Sequence, residues 1–133
     1  MRETIEIARP VDEVYAYVTD PNRFGEWQDD VVSVNVEGNR FTTTRKVGGT
    51  TTQEITEVDP PRSWAARGID GPIRPIARVT IEPSPAGSRV TFDLEFEGHG
   101  MGKALLPMVR RAAAKGAPLS YQKLKARLEK PSG

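Results

Sequence analysis

Residues 8–36, ARPVDEVYAYVTDPNRFGEWQDDVVSVNV, contain two helix starts between a first and a second strand. Proline is favoured at the first position of a helix, and Pro10 is followed by apolar residues at helical spacing. Asp20 and Pro21 repeat this arrangement, as the cap and the first residue of a second short helix that ends near Gly25. The stretch therefore predicts two consecutive short helices directly after the first strand.

Alternation of polar and apolar residues predicts seven strands in the chain. The first spans residues 3–8 and places Ile5 and Ile7 on one side. Turn residues, Gly48-Gly49 among them, separate six later runs, which span residues 31–38, 40–47, 50–58, 62–69, 75–83 and 88–97. The last run places four apolar residues on one face: Val90, Phe92, Leu94 and Phe96. This pattern predicts a curved antiparallel sheet with one dry, concave face.

The C-terminal segment changes to helical spacing. Apolar residues predict a long helix over residues 102–129, and a tail, Pro131–Gly133, follows it. Pro118 lacks the N–H that would bond the carbonyl of Ala114, so we expect the helix to kink or break there.

Three motifs together resemble the START-like (SRPBCC) superfamily and its polyketide cyclase/dehydrases. They are IARPVDEVYAYVTDPNRFGEW at residues 7–27, ITEVDPPRSW at 55–64 and GSRVTFDLEFE at 87–97. The resemblance implies one domain over residues 1–133 with the α+β helix-grip fold. In that fold a long C-terminal helix crosses the concave face of a seven-stranded antiparallel sheet, two short helices follow strand 1, and a cavity lies between sheet and helix.

Composition excludes several classes of protein. With 37% hydrophobic and 28% charged residues, the 133-residue chain is neither disordered nor a membrane protein. The chain has no cysteine, which favours a reducing, cytoplasmic location. One histidine and no cysteine predict no metal site, and no cofactor motif is present. The oligomeric state is left open.

Small residues in the long helix, from Ala112 to Ala117, favour an unfilled interior opposite Phe92. The predicted cavity lining consists of Trp27, Phe41, Arg67, Val79, Phe92, Leu94, Phe96, Met101, Leu105 and Met108. Arg67 enters through the resemblance, because aromatic polyketide cyclases carry an inward arginine before a Gly-Pro turn. Trp64 is out of phase with Arg67, so a regular strand cannot send both side chains inward.

Catalytic residues are not identified by the sequence. Glu54 would have a raised pKa and act as a base if it faced a dry pocket. The alternation on its strand does not determine whether Glu54 points inward or outward, and the same holds for Arg45 on its strand. His99 is the only histidine, and no nucleophile or carboxylate partner accompanies it in a recognisable motif.

Three functions remain open at this point. The first is binding of a small hydrophobic molecule (a polyketide, an isoprenoid or a lipid) inside the cavity. The second is a polyketide cyclase/dehydrase activity. The third is docking of the basic C-terminal helix on a partner or membrane, because residues 102–133 carry a net charge of +7 against −6 for residues 1–101. The charges spread around that helix, so we expect no nucleic-acid binding.

Overall fold

The chain forms one antiparallel sheet of seven strands, which a long helix crosses. The computed structural model describes residues 1–47 and 49–130. The strands are β1 (Arg2–Ile7), β2 (Val31–Glu37), β3 (Arg40–Arg45), β4 (Gly49–Asp59), β5 (Ser63–Gly68), β6 (Ile73–Ser84) and β7 (Gly87–Gly98). Their order across the sheet is β1-β7-β6-β5-β4-β3-β2, so β1 and β2 lie at opposite edges.

Two short helices separate β1 from β2, as predicted. Helix α1 (Val11–Val18) begins directly after Pro10. A 3₁₀ turn (Pro21–Arg23) then leads into α2 (Phe24–Trp27), and the carboxylate of Asp20 caps that turn by accepting a 3.0 Å hydrogen bond from the backbone N–H of Asn22. The proline and aspartate signals therefore place both elements correctly.

Helix α3 (Gly102–Glu129) is the long C-terminal element. The helix is continuous through Pro118, so the prediction of a break at this residue is wrong. One missing backbone hydrogen bond is tolerated because the turns after Pro118 are anchored on the sheet by Tyr121, Leu124 and Leu128. Within the described residues no helix is both long and apolar enough to cross a bilayer.

The predicted helix-grip architecture is confirmed. A curved antiparallel sheet carries two short helices after its first strand, and α3 packs against it. Two predicted features involve residues outside the described ranges: the turn that includes Gly48, and the tail Pro131–Gly133.

The solid part of the core lies where α1 and the C-terminal half of α3 meet β1, β6 and β7. Ile7, Val14, Val90 and Leu124 are completely buried there. The hydroxyl of Tyr15 donates a 2.9 Å hydrogen bond to the backbone carbonyl of Ser63, which joins α1 to the start of β5. Burial at this end supplies the main stabilisation of the fold.

Candidate functional site

A cavity of about 360 Å³ lies between the sheet and the middle of α3. Its walls are inward residues of β3 to β7, residues of α2 and one face of α3. Val47 and Leu119 also line it, and they are 43% and 65% exposed. The cavity therefore opens to solvent on the side where these two residues lie.

Small side chains on α3 leave this space open. The helix presents four of them to the cavity: Ala112, Ala113, Gly116 and Ala117. A Cβ atom added to Gly116 would meet no atom within 4 Å. One turn after Ala117, Tyr121 stacks on Phe92 of β7 with ring centroids 4.0 Å apart, and the two rings bound the cavity towards the solid end of the core.

An aromatic wall faces α3 from the opposite side. Phe24 makes edge-to-face contacts with three rings, with centroid distances of 5.7 Å to Phe41, 5.9 Å to Trp27 and 6.2 Å to Trp64. Aromatic rings in this arrangement are rigid and supply large apolar area. Because α2 supplies Phe24 and Trp27, the short helices after β1 form part of the cavity as well as part of the core.

Polar side chains occupy the part of the wall formed by β3 and β4. Thr43, Thr51 and Gln53 line the cavity there, and the hydroxyl of Thr51 donates a 3.3 Å hydrogen bond to the carbonyl of Ile73. Thr43 is 2% exposed and Gln53 is 6% exposed. The hydroxyl of Thr43 and the indole N–H of Trp27 are buried without a hydrogen-bond partner among the described residues.

Charged residues near the cavity are paired. Arg45 donates hydrogen bonds of 2.9 Å to the carboxylate of Asp30 and 2.8 Å to the side-chain oxygen of Gln28. Asp29 pairs with Lys123 of α3, and this contact lowers the pKa of the Asp29 carboxyl. The Asp29 carboxylate therefore stays ionised near neutral pH.

Six of the ten residues predicted to bind a ligand lie around this cavity: Trp27, Phe41, Val79, Phe92, Leu94 and Phe96. Their placement follows from the alternation on β3, β6 and β7 and from the anchor position of Trp27 in α2. Their contact with a ligand remains a prediction.

Arg67 lies on the outer face of the sheet, which corrects the expectation that it points into the cavity. Trp64 and Ala66 are the buried, inward residues of β5, and alternation then turns Arg67 outward. It pairs across strands with Glu54, whose carboxylate accepts a 3.3 Å hydrogen bond from Arg40 on the same outer face. The conflict between Trp64 and Arg67 is therefore resolved in favour of Trp64.

Met101, Leu105 and Met108 also lie outside the cavity, which corrects a second expectation. They are 87%, 40% and 54% exposed. The rotation of α3 explains this: Gly102 is packed so tightly that a Cβ atom there would stand 1.8 Å from the carbonyl oxygen of Pro72. Gly102 and Val109 are the buried residues of this part of the helix, and Leu105 and Met108 lie beside that inward direction rather than on it.

Few side chains near the cavity could act as a general acid or base. His99 is exposed, and its Nε2 atom lies 3.2 Å from the carboxylate of Glu97, outside the cavity lining. Burial raises the pKa of the Tyr121 hydroxyl to about 12, so it stays protonated at neutral pH. The cavity lining is mostly apolar and carries hydrogen-bonding side chains on one side.

Sequence reasoning missed Thr43, Gln53 and Gln28 as cavity residues. Strands β3 and β4 carry threonines on both faces, so polarity does not distinguish inside from outside there. The one usable signal is Phe41, because the residues two positions along the same strand share its face.

Comparisons with known proteins place the chain among related sequences and folds. A family model described as polyketide cyclase / dehydrase and lipid transport matches residues 1–129. No curated protein matches the chain.

Solved structures share this fold at low sequence identity. TTHA0849 from Thermus thermophilus superposes with a TM-score of 0.77 at 21% identity, covering 96% of this chain and 95% of the other. DR_A0006 from Deinococcus radiodurans gives 0.74 at 21% identity, with coverage of 97% and 96%. BexL, a di-domain ARO/CYC from the BE-7585A biosynthetic pathway, gives 0.73 at 21% identity, and 97% of this chain matches 46% of that one.

Proposed function

This chain belongs to the polyketide cyclase / dehydrase and lipid transport family, and we propose that it binds a small hydrophobic molecule in the cavity between the sheet and α3. One observation carries the proposal. Four residues of α3 that line the cavity, Ala112, Ala113, Gly116 and Ala117, are alanine or glycine opposite an aromatic wall, and about 360 Å³ of space remains between them. Protein interiors are otherwise close-packed, so an apolar space of this size favours an occupant.

The size and lining of the cavity restrict the occupant. A volume of about 360 Å³ suits a molecule of two or three fused rings or an isoprenoid of comparable size. The apolar contacts would come from Phe41, Phe92, Leu94 and Phe96, and Val79 would add to them. A polyketide, an isoprenoid and a lipid all meet these requirements.

A polyketide cyclase/dehydrase activity is the second candidate. The superposition on BexL favours it, since that protein is an ARO/CYC, and a chain can be folded for cyclisation largely by cavity shape. Cyclisation also needs proton transfer, however. The carboxylates around the cavity are ion-paired and Tyr121 holds its proton at neutral pH, so the lining favours binding without turnover.

Docking through the basic C-terminal helix is disfavoured by the contacts of α3. Three of its cations already pair with carboxylates: Lys123 with Asp29, Lys125 with Glu129, and Arg127 with Glu26. Cations engaged in this way contribute less to attraction of an extended polyanion.

Native mass spectrometry of the protein purified from cells in which it is produced naturally tests the proposal. We expect a fraction of molecules with added mass, and an organic extract of the same sample that releases a compound of that mass. The proposal fails if the protein carries no bound compound and also binds neither of two neutral probes, 2-acetylnaphthalene and 2-isopropenylnaphthalene. Turnover of a poly-β-keto substrate by the purified protein would instead favour the cyclase.

A further inference from the structure

Buried polar groups without partners mark one edge of the cavity. Thr43 and Gln53 stand on neighbouring strands: Phe41 is the cross-strand partner of Gln53, and Thr43 lies two residues further along β3. Such diagonal neighbours are close enough for their side chains to reach one ligand atom. The Thr43 hydroxyl is buried without a partner among the described residues, and the Gln53 side chain beside it is 6% exposed.

Trp27 adds a second unpaired group to the same cavity. Its indole N–H is buried without a partner among the described residues, and the residue is only 4% exposed. The ring is held by Phe24 at 5.9 Å and by Phe92 at 6.2 Å between centroids, so it is packed on both sides. An indole N–H can only donate a hydrogen bond, so the group that satisfies it must be an acceptor.

Charge around the cavity is neutralised by the protein itself. Every charged residue in the described lining has an ion-pair partner. The pairs are Asp29 with Lys123, Asp30 with Arg45, Arg78 with Glu57, and Asp93 with Arg2. A ligand carboxylate would therefore enter a mostly apolar space without a free cation from the described lining to receive it, which is unfavourable.

We infer that Thr43, Gln53 and Trp27 form a specificity-determining polar edge, which binds the carbonyl or hydroxyl oxygen of an uncharged, otherwise apolar ligand. This inference rests on the proposed function, since it assigns the chemistry of the molecule in the same cavity. An oxygen acceptor satisfies the donor of Trp27, while the hydroxyl of Thr43 and the amide of Gln53 can donate as well. A buried donor that gains a partner in the complex favours a ligand with an oxygen at that position.

Two isosteric probes separate hydrogen bonding from shape. In 2-acetylnaphthalene an oxygen stands where 2-isopropenylnaphthalene has a CH₂ group, and the two molecules have nearly the same volume. Equilibrium dialysis gives the Kd of each probe for the wild type and for Thr43→Val, Gln53→Met and Trp27→Phe. Thr44→Val is the matched control, because Thr44 lies on the outer face of the same strand and pairs with Thr50 at 3.0 Å.

We expect each cavity variant to weaken binding of the ketone about three- to tenfold more than binding of the alkene. The comparison cancels any change in cavity shape, since that affects both probes alike. Thr44→Val should alter neither Kd. Thr43→Val should also keep the wild-type midpoint of chemical denaturation, because the hydroxyl it removes has no partner among the described residues.

Three results would overturn the inference in distinguishable ways. Equal weakening of both probes, or none, means that the three residues only shape the cavity while the proposed function stands. Binding of 2-naphthoate as tightly as the ketone at neutral pH removes the requirement for an uncharged ligand. If neither neutral probe binds the wild type, the inference fails, and the proposed function fails with it when native mass spectrometry also finds no bound compound.

Discussion

The two halves of α3, residues 102–117 and 118–129, pack against the same sheet and leave different interiors. In the C-terminal half, Leu124 is completely buried and Leu128 is 7% exposed, and both belong to the solid core. In the middle, Ala113, Gly116 and Ala117 face the sheet across a cavity. The backbone is one continuous helix, and the side chains that it presents to the sheet are small beside the cavity and large in the solid core. Stability is therefore concentrated at one end of the molecule, and the other end is available for a ligand.

The largest expected effect falls on the solid half. Leu124→Ala removes a completely buried side chain, and such substitutions cost about 2–5 kcal/mol of the free energy of unfolding. Leu119→Ala is the matched control, because Leu119 lies on the same helix and is 65% exposed. Urea denaturation measures the free energy of unfolding of both variants. Equal losses in the two variants would contradict the solid packing around Leu124.

Tyr121 lies near the boundary between the two halves, and the pH dependence of stability at high pH tests whether its hydroxyl is buried there. Burial raises the pKa of its hydroxyl to about 12, above the ordinary value of 10. The stabilisation is complete below pH 10 and is lost as the pH rises towards 12, because the unfolded chain releases the proton first. The wild type should therefore lose about 1.4 kcal/mol more than Tyr121→Phe between about pH 9 and pH 11.

Denaturation curves at the two pH values provide this test. The pKa values of Tyr15 and Tyr17 are also raised, but both residues are present in both proteins, so the difference isolates Tyr121. Identical pH dependence in the two proteins would mean that the Tyr121 hydroxyl is solvated and that the boundary is open.

The smallest expected effect concerns Arg67 on the outer face. Arg67→Ala should change the free energy of unfolding by less than about 0.5 kcal/mol, as exposed residues usually do. The Kd for 2-acetylnaphthalene should stay within twofold of the wild type, because the side chain points away from the cavity. A tenfold loss of binding would restore Arg67 to the role that the resemblance implied.

The fold could be predicted because its signals are local. Proline and aspartate fix the starts of the short helices, and the alternation from Val90 to Phe96 fixes a strand with one dry face. The cavity followed in part from the same signals, since Phe92, Leu94 and Phe96 share that face.

The remaining site depends on relations between distant residues. The rotation of α3 is set by contact of Gly102 with Pro72 and by the burial of Leu124, so the apolar character of Leu105 does not reveal its direction. The inward face of β4 is set by its pairing with β3, because threonines on both faces hide the alternation. Register and helix rotation are tertiary properties that spacing alone does not contain.

The most direct test fills the cavity from α3 without disturbing the solid half. Gly116 lines the cavity, and a Cβ atom there would meet nothing within 4 Å beyond its own stretch of helix, so Gly116→Leu extends a side chain into open space. Ala114→Leu makes a comparable addition at an exposed position of the same helix. We expect Gly116→Leu to unfold at the wild-type urea midpoint or above it and to bind 2-acetylnaphthalene at least tenfold more weakly, while Ala114→Leu binds normally. Wild-type binding by Gly116→Leu would contradict binding in the cavity beside α3.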